Sequence, residues 1–192
     1  MGLTRGQLTA IAERTGFPVV AAWVPGHGPM GEVEGVILHH TATAASAPGD
    51  YPSLGVVTRG NEKTSGPLCN FGLGRSGTIY LITEGRAFHA GEGAWKGHTQ
   101  GNSRFLGIEA EYPGDKRPWP PVQLDAYRRL VASILHAIGK DTRWDVRHGR
   151  WALPGPDKRK IDPNGFSMSV DFDPIVKQML AAPATINRNV TV

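Results

Sequence analysis

A single cysteine, Cys69, stands in a chain of 192 residues. No disulfide can close within the chain, so folding needs no oxidising compartment. Long apolar runs are missing too. No stretch approaches the roughly 20 apolar residues that cross a bilayer as a helix, so no stable membrane association is expected. The opening segment MGLTRGQLTAIAERTG lacks the apolar centre of a secretory signal. Gly6 stands where a myristoylation pattern requires Ser or Thr. Internal repeats are absent. Charge of one sign is only mildly in excess: 21 basic residues against 17 acidic give a net charge of +4 and a pI near 9.4. The basic residues are mostly scattered, apart from DKRK at 157–160. Aromatic residues do not interleave with a basic stripe and no nucleic-acid motif is present, so nucleic acid is not an expected partner.

What is present suits one domain. The hydrophobic fraction of 40% is ordinary for a globular chain and allows a packed core. Leu8, Ile11 and Ala12 fall at helical spacing before Gly16, which predicts a short helix with a glycine stop. A Pro/Gly-rich connection leads into the apolar run GVILHH at 35–40, read as a strand. Residues 44–67 read mostly as loop, with a weak helical piece near Leu54 to Val57. NFGLGRSGTIYLIT at 70–83 has two short runs about a polar tip and predicts a hairpin. FLGIEAEY at 105–112 predicts another strand. Residues 120–140 give the clearest helix: Leu124, Tyr127, Val131, Ile134, Leu135 and Ile138 share a face. Pro121 fits its first turn and Gly139 its end. One short strand near Val146 and a final helix from Asp171 or Asp173 complete the pattern. The hairpin argues against an all-parallel sheet, so the expected fold is mixed α/β, a mixed central sheet flanked by helices. The expected division is 1–29 as an N-terminal helix and connection, 30–180 as the functional domain, and 181–192 as a tail or linker.

GLGRSG at 72–77 matches a dinucleotide-binding fingerprint to the letter. That fingerprint must open a helix whose N–H groups receive the pyrophosphate. Here Thr78 to Ile82 are almost all β-branched or aromatic and read as a strand, so the glycines are assigned to a turn.

Chemistry concentrates elsewhere. The strand GVILHH ends in His39 and His40, which must face opposite sides, so one imidazole can enter a cleft while the other packs or meets solvent. His148 follows the predicted strand at Val146, and a Pro/Gly-rich loop then runs to Lys160, Ile161 and Asp162. Two histidines and a carboxylate form a usual ligand set for catalytic zinc, leaving a fourth position for water. In an extended stretch Lys160 and Asp162 point the same way, placing a cation where it steadies an oxyanion. A solvated basic loop is the plainer reading of that piece. Glu109 lies between Ile108 and Ala110. Desolvation there would raise its pKa, as a general base requires. The alternative is a solvent-facing edge-strand glutamate, and Glu111 shares its parity.

Taken together and in order, VILHHTAT, FHAGEGAW, LGIEAEY and the segment from His148 through DKRKIDP resemble the type 2 N-acetylmuramoyl-L-alanine amidases. That family also holds the peptidoglycan recognition proteins and many phage endolysins. The resemblance covers about residues 30 to 170. It implies one zinc ion on His39, His148 and Asp162, with His40 outside the ligand set. It implies Glu109 as base, Lys160 as the cation beside it, and His89, Gly91 and Trp95 beside substrate in the groove, where turn and packing roles are the bland alternative. The implied activity is hydrolysis of the amide between muramic acid and L-alanine in peptidoglycan. A non-catalytic recognition module and a zinc amidase of another substrate are the alternatives. The implied setting is a monomeric endolysin made in the host cytoplasm that acts on the wall after release. One departure stands out. Many relatives carry tyrosine before the Asn-Phe of the hairpin strand, and Cys69 stands there instead. A thiol cannot copy a phenol's reach, which shifts weight to Glu109. Cys69 itself reads as a small buried apolar residue.

Overall fold

The computed structural model describes residues 2–152 and 160–182. Helix α1 (Arg5–Glu13) opens on a capping box, with the Thr4 hydroxyl accepting from the Gln7 N–H and the Gln7 side chain accepting from the Thr4 N–H, which satisfies end groups that a helix leaves orphaned. Strand β1 (Val19–Ala21) and strand β2 (Gly35–His40) follow, then helix α2 (Leu54–Arg59) and strands β3 (Phe71–Leu73) and β4 (Ile79–Leu81). A single turn, α3 (Gly101–Arg104), leads into strand β5 (Phe105–Ala110). The long helix α4 (Pro121–Ala137), strand β6 (Asp145–Arg147), the turn α5 (His148–Trp151), a π turn (Met168–Phe172) and helix α6 (Asp173–Ala181) complete the order.

The six strands form one sheet in the order β1-β4-β3-β5-β2-β6. Every neighbouring pair is parallel except β3 and β4. The mixed α/β architecture expected from the hairpin is therefore the one observed. The GLGRSG turn joins two antiparallel strands, with Gly74 N–H donating to the Thr78 carbonyl and Gly77 at φ 89°. No helix follows it, so no helix N-terminus is offered to a phosphate. The predicted helix at 120–140 holds, with Pro121 in its first turn and Gly139 at φ 66° beyond its end.

Three short elements escape sequence patterning. β1 lies in the stretch expected as connection, and α3 and α5 are single turns of four residues each. Periodicity needs more residues than these provide.

Parity along the strands decides what each face becomes. Val36 and Leu38 of β2 and Leu106, Ile108 and Ala110 of β5 pack into the main core with α1, α4 and α6. Each such fully buried Leu or Ile contributes roughly 1.5–3 kcal/mol. Ile37, on the opposite face, packs with Ala90, Phe105, Val146 and Trp151 in a second, smaller cluster. His39 shares the parity of Ile37, and Glu109 that of Phe105. The two therefore emerge on the face that no long helix covers.

Candidate metal centre and its cavity

β2, β5 and β6 are parallel, so their carboxyl ends lie along one edge. In open α/β sheets ligands bind at that edge. His39 is the penultimate residue of β2 and stands directly beside Glu109 of β5 in the ladder. His148 follows β6 immediately. Asp162 returns from the loop and is tied down through its carbonyl, which accepts from the Gly149 N–H of α5.

His39, His148 and Asp162 converge: each offers one ligand atom, and these atoms lie within 4.8 Å of one another. Nδ1 of His39 is 2.9 Å from Nδ1 of His148. Oδ2 of Asp162 is 3.3 Å from the first and 3.2 Å from the second. The outer hydrogen bonds settle the tautomers. His148 Nε2 lies 3.0 Å from the Ala90 carbonyl, which can only accept. His89 Nε2 likewise faces the Phe105 carbonyl at 3.1 Å, leaving His89 Nδ1 as an acceptor for His39 Nε2 at 3.0 Å. Each neutral ring thus spends its one proton outward. Two imidazole lone pairs and a carboxylate face one another with no proton between them, an arrangement that a cation stabilises. Histidine ligands oriented by carbonyl or imidazole partners have this form.

The electrostatics agree. Burial, then the neighbouring His148, lowers the His39 pKa to about 4, so the ring is neutral at pH 7. Burial opposes ionisation of Asp162, but its close contacts with His148 and His39 outweigh it and hold the carboxyl below its usual range. Burial keeps His89 neutral as well, reinforced by His39 and His148.

Beside the cluster opens a cavity of about 650 Å³, lined among others by Glu109, Lys160, Asp162, His89 and Phe88. Glu109 lies on a central strand, not an edge. Its Oε2 is sealed from solvent and has no hydrogen-bond partner among the described residues. Burial raises its pKa well above the ordinary range, Asp162 adds to this, and Lys160 opposes it. Glu111, of the same parity, is committed elsewhere: it accepts from the Thr41 hydroxyl and the Ser53 N–H. Of the two, only Glu109 has a sealed carboxylate oxygen without a partner among the described residues. Lys160 is exposed at the cavity, and residues 157–159 of DKRK lie outside the described residues.

His40 sits on the other face from His39. Its ring lies against Tyr112 and its Nδ1 accepts from the Asn164 N–H at 3.4 Å, so it packs and stays out of the cluster. The HAG motif divides. His89 reaches His39, whereas Gly91 (φ 57°) turns the chain away, and its carbonyl accepts from the Trp151 indole. Trp95 donates to the Arg143 carbonyl and lines a different cavity. Neither Gly91 nor Trp95 lines the cavity beside Glu109. Cys69 is fully buried and packs with Tyr51, Val57 and Ile82.

Sequence reasoning missed the supports. Asn102 Oδ1 accepts from the N–H groups of His89 and Ala90 and so fixes the loop that carries both. Gly107 leaves room for His89: a Cβ there would stand 2.6 Å from the imidazole Cγ. Asn70 ties β5 to the hairpin, accepting from Gly107 N–H and donating to the Thr83 and Gly85 carbonyls.

A mixed sheet with two imidazoles and a carboxylate gathered at its carboxyl edge defines an α/β protein with a candidate metal centre in an open cavity. The chain belongs to the N-acetylmuramoyl-L-alanine amidase family, whose model matches residues 29–165. Solved structures share its fold. A selenomethionine derivative of AmpD superposes with a TM-score of 0.62 at 18% identity, covering 78% of this chain and 90% of that one. AmiD from E. coli, solved with the substrate anhydro-N-acetylmuramic acid-L-Ala-D-gamma-Glu-L-Lys, gives 0.59 at 21% identity, covering 81% and 60%. A mutant endolysin from Bacillus subtilis gives 0.55 at 18%, covering 74% and 91%. No curated protein sequence matches the chain.

Proposed function

We propose that this chain is a zinc-dependent N-acetylmuramoyl-L-alanine amidase that cuts the bond between muramic acid and the L-alanine of the stem peptide. The observation that carries this reading is the set of three lone-pair donors on His39, His148 and Asp162, converging without a proton beside the unpartnered Glu109. Family membership supplies the substrate class. AmiD holds a muramoyl-peptide on the same fold.

His39, His148 and Asp162 would hold the zinc ion, whose Lewis acidity supplies a water nucleophile near neutral pH. The Glu109 carboxylate accepts the proton of the attacking water as oxygen adds to the amide carbonyl. Its raised pKa makes the protonated carboxyl a competent donor to the leaving alanine nitrogen in the next step. The Lys160 ammonium, at the same cavity, offsets charge growing on the carbonyl oxygen. His89 holds the His39 ring so that its Nδ1 stays free. For the cellular role we infer a phage endolysin, supported by the likeness to the Bacillus subtilis endolysin. No helix among the described residues is long and apolar enough to cross a membrane.

Digestion of purified peptidoglycan tests the reaction. The expected products are new alanine amino ends in proportion to lactyl carboxyl ends, with no new reducing sugars. Glu109→Gln should keep its zinc yet lose about 10²- to 10⁴-fold in rate, the usual worth of a general acid–base group. New reducing ends, or a Glu109→Gln protein of wild-type rate, would refute the assignment. Binding to peptidoglycan without any cleavage would leave only recognition.

A further inference from the structure

A second cluster of acidic oxygen lies away from the cavity described above. Asp145, the first residue of β6, pairs in register with Val36, so its side chain points to the helical face of the sheet. It is 4% exposed. Both of its carboxylate oxygens are sealed and without a hydrogen-bond partner among the described residues. Asp173, the first residue of α6, has its Oδ1 sealed and unpartnered too. The two line one cavity of about 380 Å³ together with Thr142, Ser167 and Trp95. Two arginines border it but are engaged elsewhere: Arg147 donates to the Pro163 carbonyl, and the Arg150 guanidinium lies 5.6 Å from the centre of the Trp95 ring.

A buried carboxylate with neither charge partner nor hydrogen bond is costly. A proton on Asp145 would remove one charge and leave the Asp173 carboxylate without a counter-ion. A cation satisfies both carboxylates at once. The lining offers oxygen donors and neither imidazole nor thiol, which selects a hard ion over zinc. We propose that Asp145 and Asp173 form a second cation site, for calcium, bridging β6 to the start of α6. β6 runs directly into His148, so the ion would clamp the strand that delivers a ligand of the first centre.

Terbium and calcium chloride test this on the full, zinc-loaded chain. Terbium should show emission sensitised by tryptophan and displaced by calcium, and calcium should raise Tm. Trp95→Phe should dim the emission while the calcium-induced rise in Tm persists. Asp145→Asn and Asp173→Asn should each weaken terbium binding by at least about tenfold, since affinity follows ligand charge. If Asp145→Asn does not fold, the half-buried Asp173 still gives the reading. Absence of sensitised emission would overturn the site. So would emission unchanged in Asp173→Asn, or emission lost in His39→Ala while both aspartates are intact.

Discussion

His89 carries no proposed ligand atom, yet it decides which nitrogen of His39 is free. By accepting the Nε2 proton it leaves Nδ1 bare toward His148 and Asp162. His89→Ala should therefore weaken zinc binding by about 10- to 100-fold, as loss of an orienting partner usually does. Chelator competition would measure it, and an unchanged affinity would remove His89 from the arrangement. Asp145 gives a prediction of another kind. Burial first, and the Asp173 charge second, push its pKa from 3.8 up to about 8, with Asp141 adding to the shift. Arg147 and Arg150 border the same cavity without pairing to it. In calcium-free buffer the folded chain should thus keep a proton that the unfolded chain has already released. Stability then falls as pH rises between about 4 and 8, by up to about 1.4 kcal/mol per pH unit. Asp145→Asn should flatten this slope in urea titrations; a slope unchanged by the substitution would contradict the burial of an unpaired carboxylate. His39, His148, Glu109 and Asp162 were legible in the sequence because each sits in a short motif. Asn102 and Gly107 were not. Their roles arise where the His89 loop meets the start of β5, and no local pattern records that meeting.

Among the elements, β2 and β5 were readable as short continuous apolar runs, and α4 because its apolar residues repeat over enough turns to declare a period. β1, with three residues, and the single turns α3 and α5 are set by tertiary pairing. Their smallness matters for the site, since α5 begins at His148 and the reading of that stretch as loop missed its turn. Trp95, expected beside substrate in the groove, lines a different cavity from Glu109. The chain reverses at Gly91 and bridges Gly93 to Ala152, which carries the following residues away from the Glu109 cavity. Helix α4 reaches the end of β2 by one bond: the Tyr127 hydroxyl donates to the His39 carbonyl at 3.0 Å. Tyr127→Phe leaves that buried carbonyl without the bond and should cost about 1 kcal/mol in chemical denaturation. A neutral result would mean that another group, such as water, replaces the hydroxyl.

At the scale of the whole molecule, the two faces of one sheet have separate tasks. Helices α1, α4 and α6 pack on the first and bury it. The second carries loops, single turns and the short helix α2, and the strand ends open there into the cavity lined by Glu109. The strand and helix pattern predicts a mixed sheet flanked by helices, not this one-sided division. Which strand lay beside which was not legible either, because the order places β5 between β3 and β2 and only that order sets Glu109 next to His39. The most direct test of the central claim is anomalous scattering at the zinc edge from crystals of the purified chain. A single strong peak should lie within bonding distance of His39 Nδ1, His148 Nδ1 and Asp162 Oδ2. Well-ordered side chains at that place with no peak among them, in protein prepared with zinc, would contradict the account.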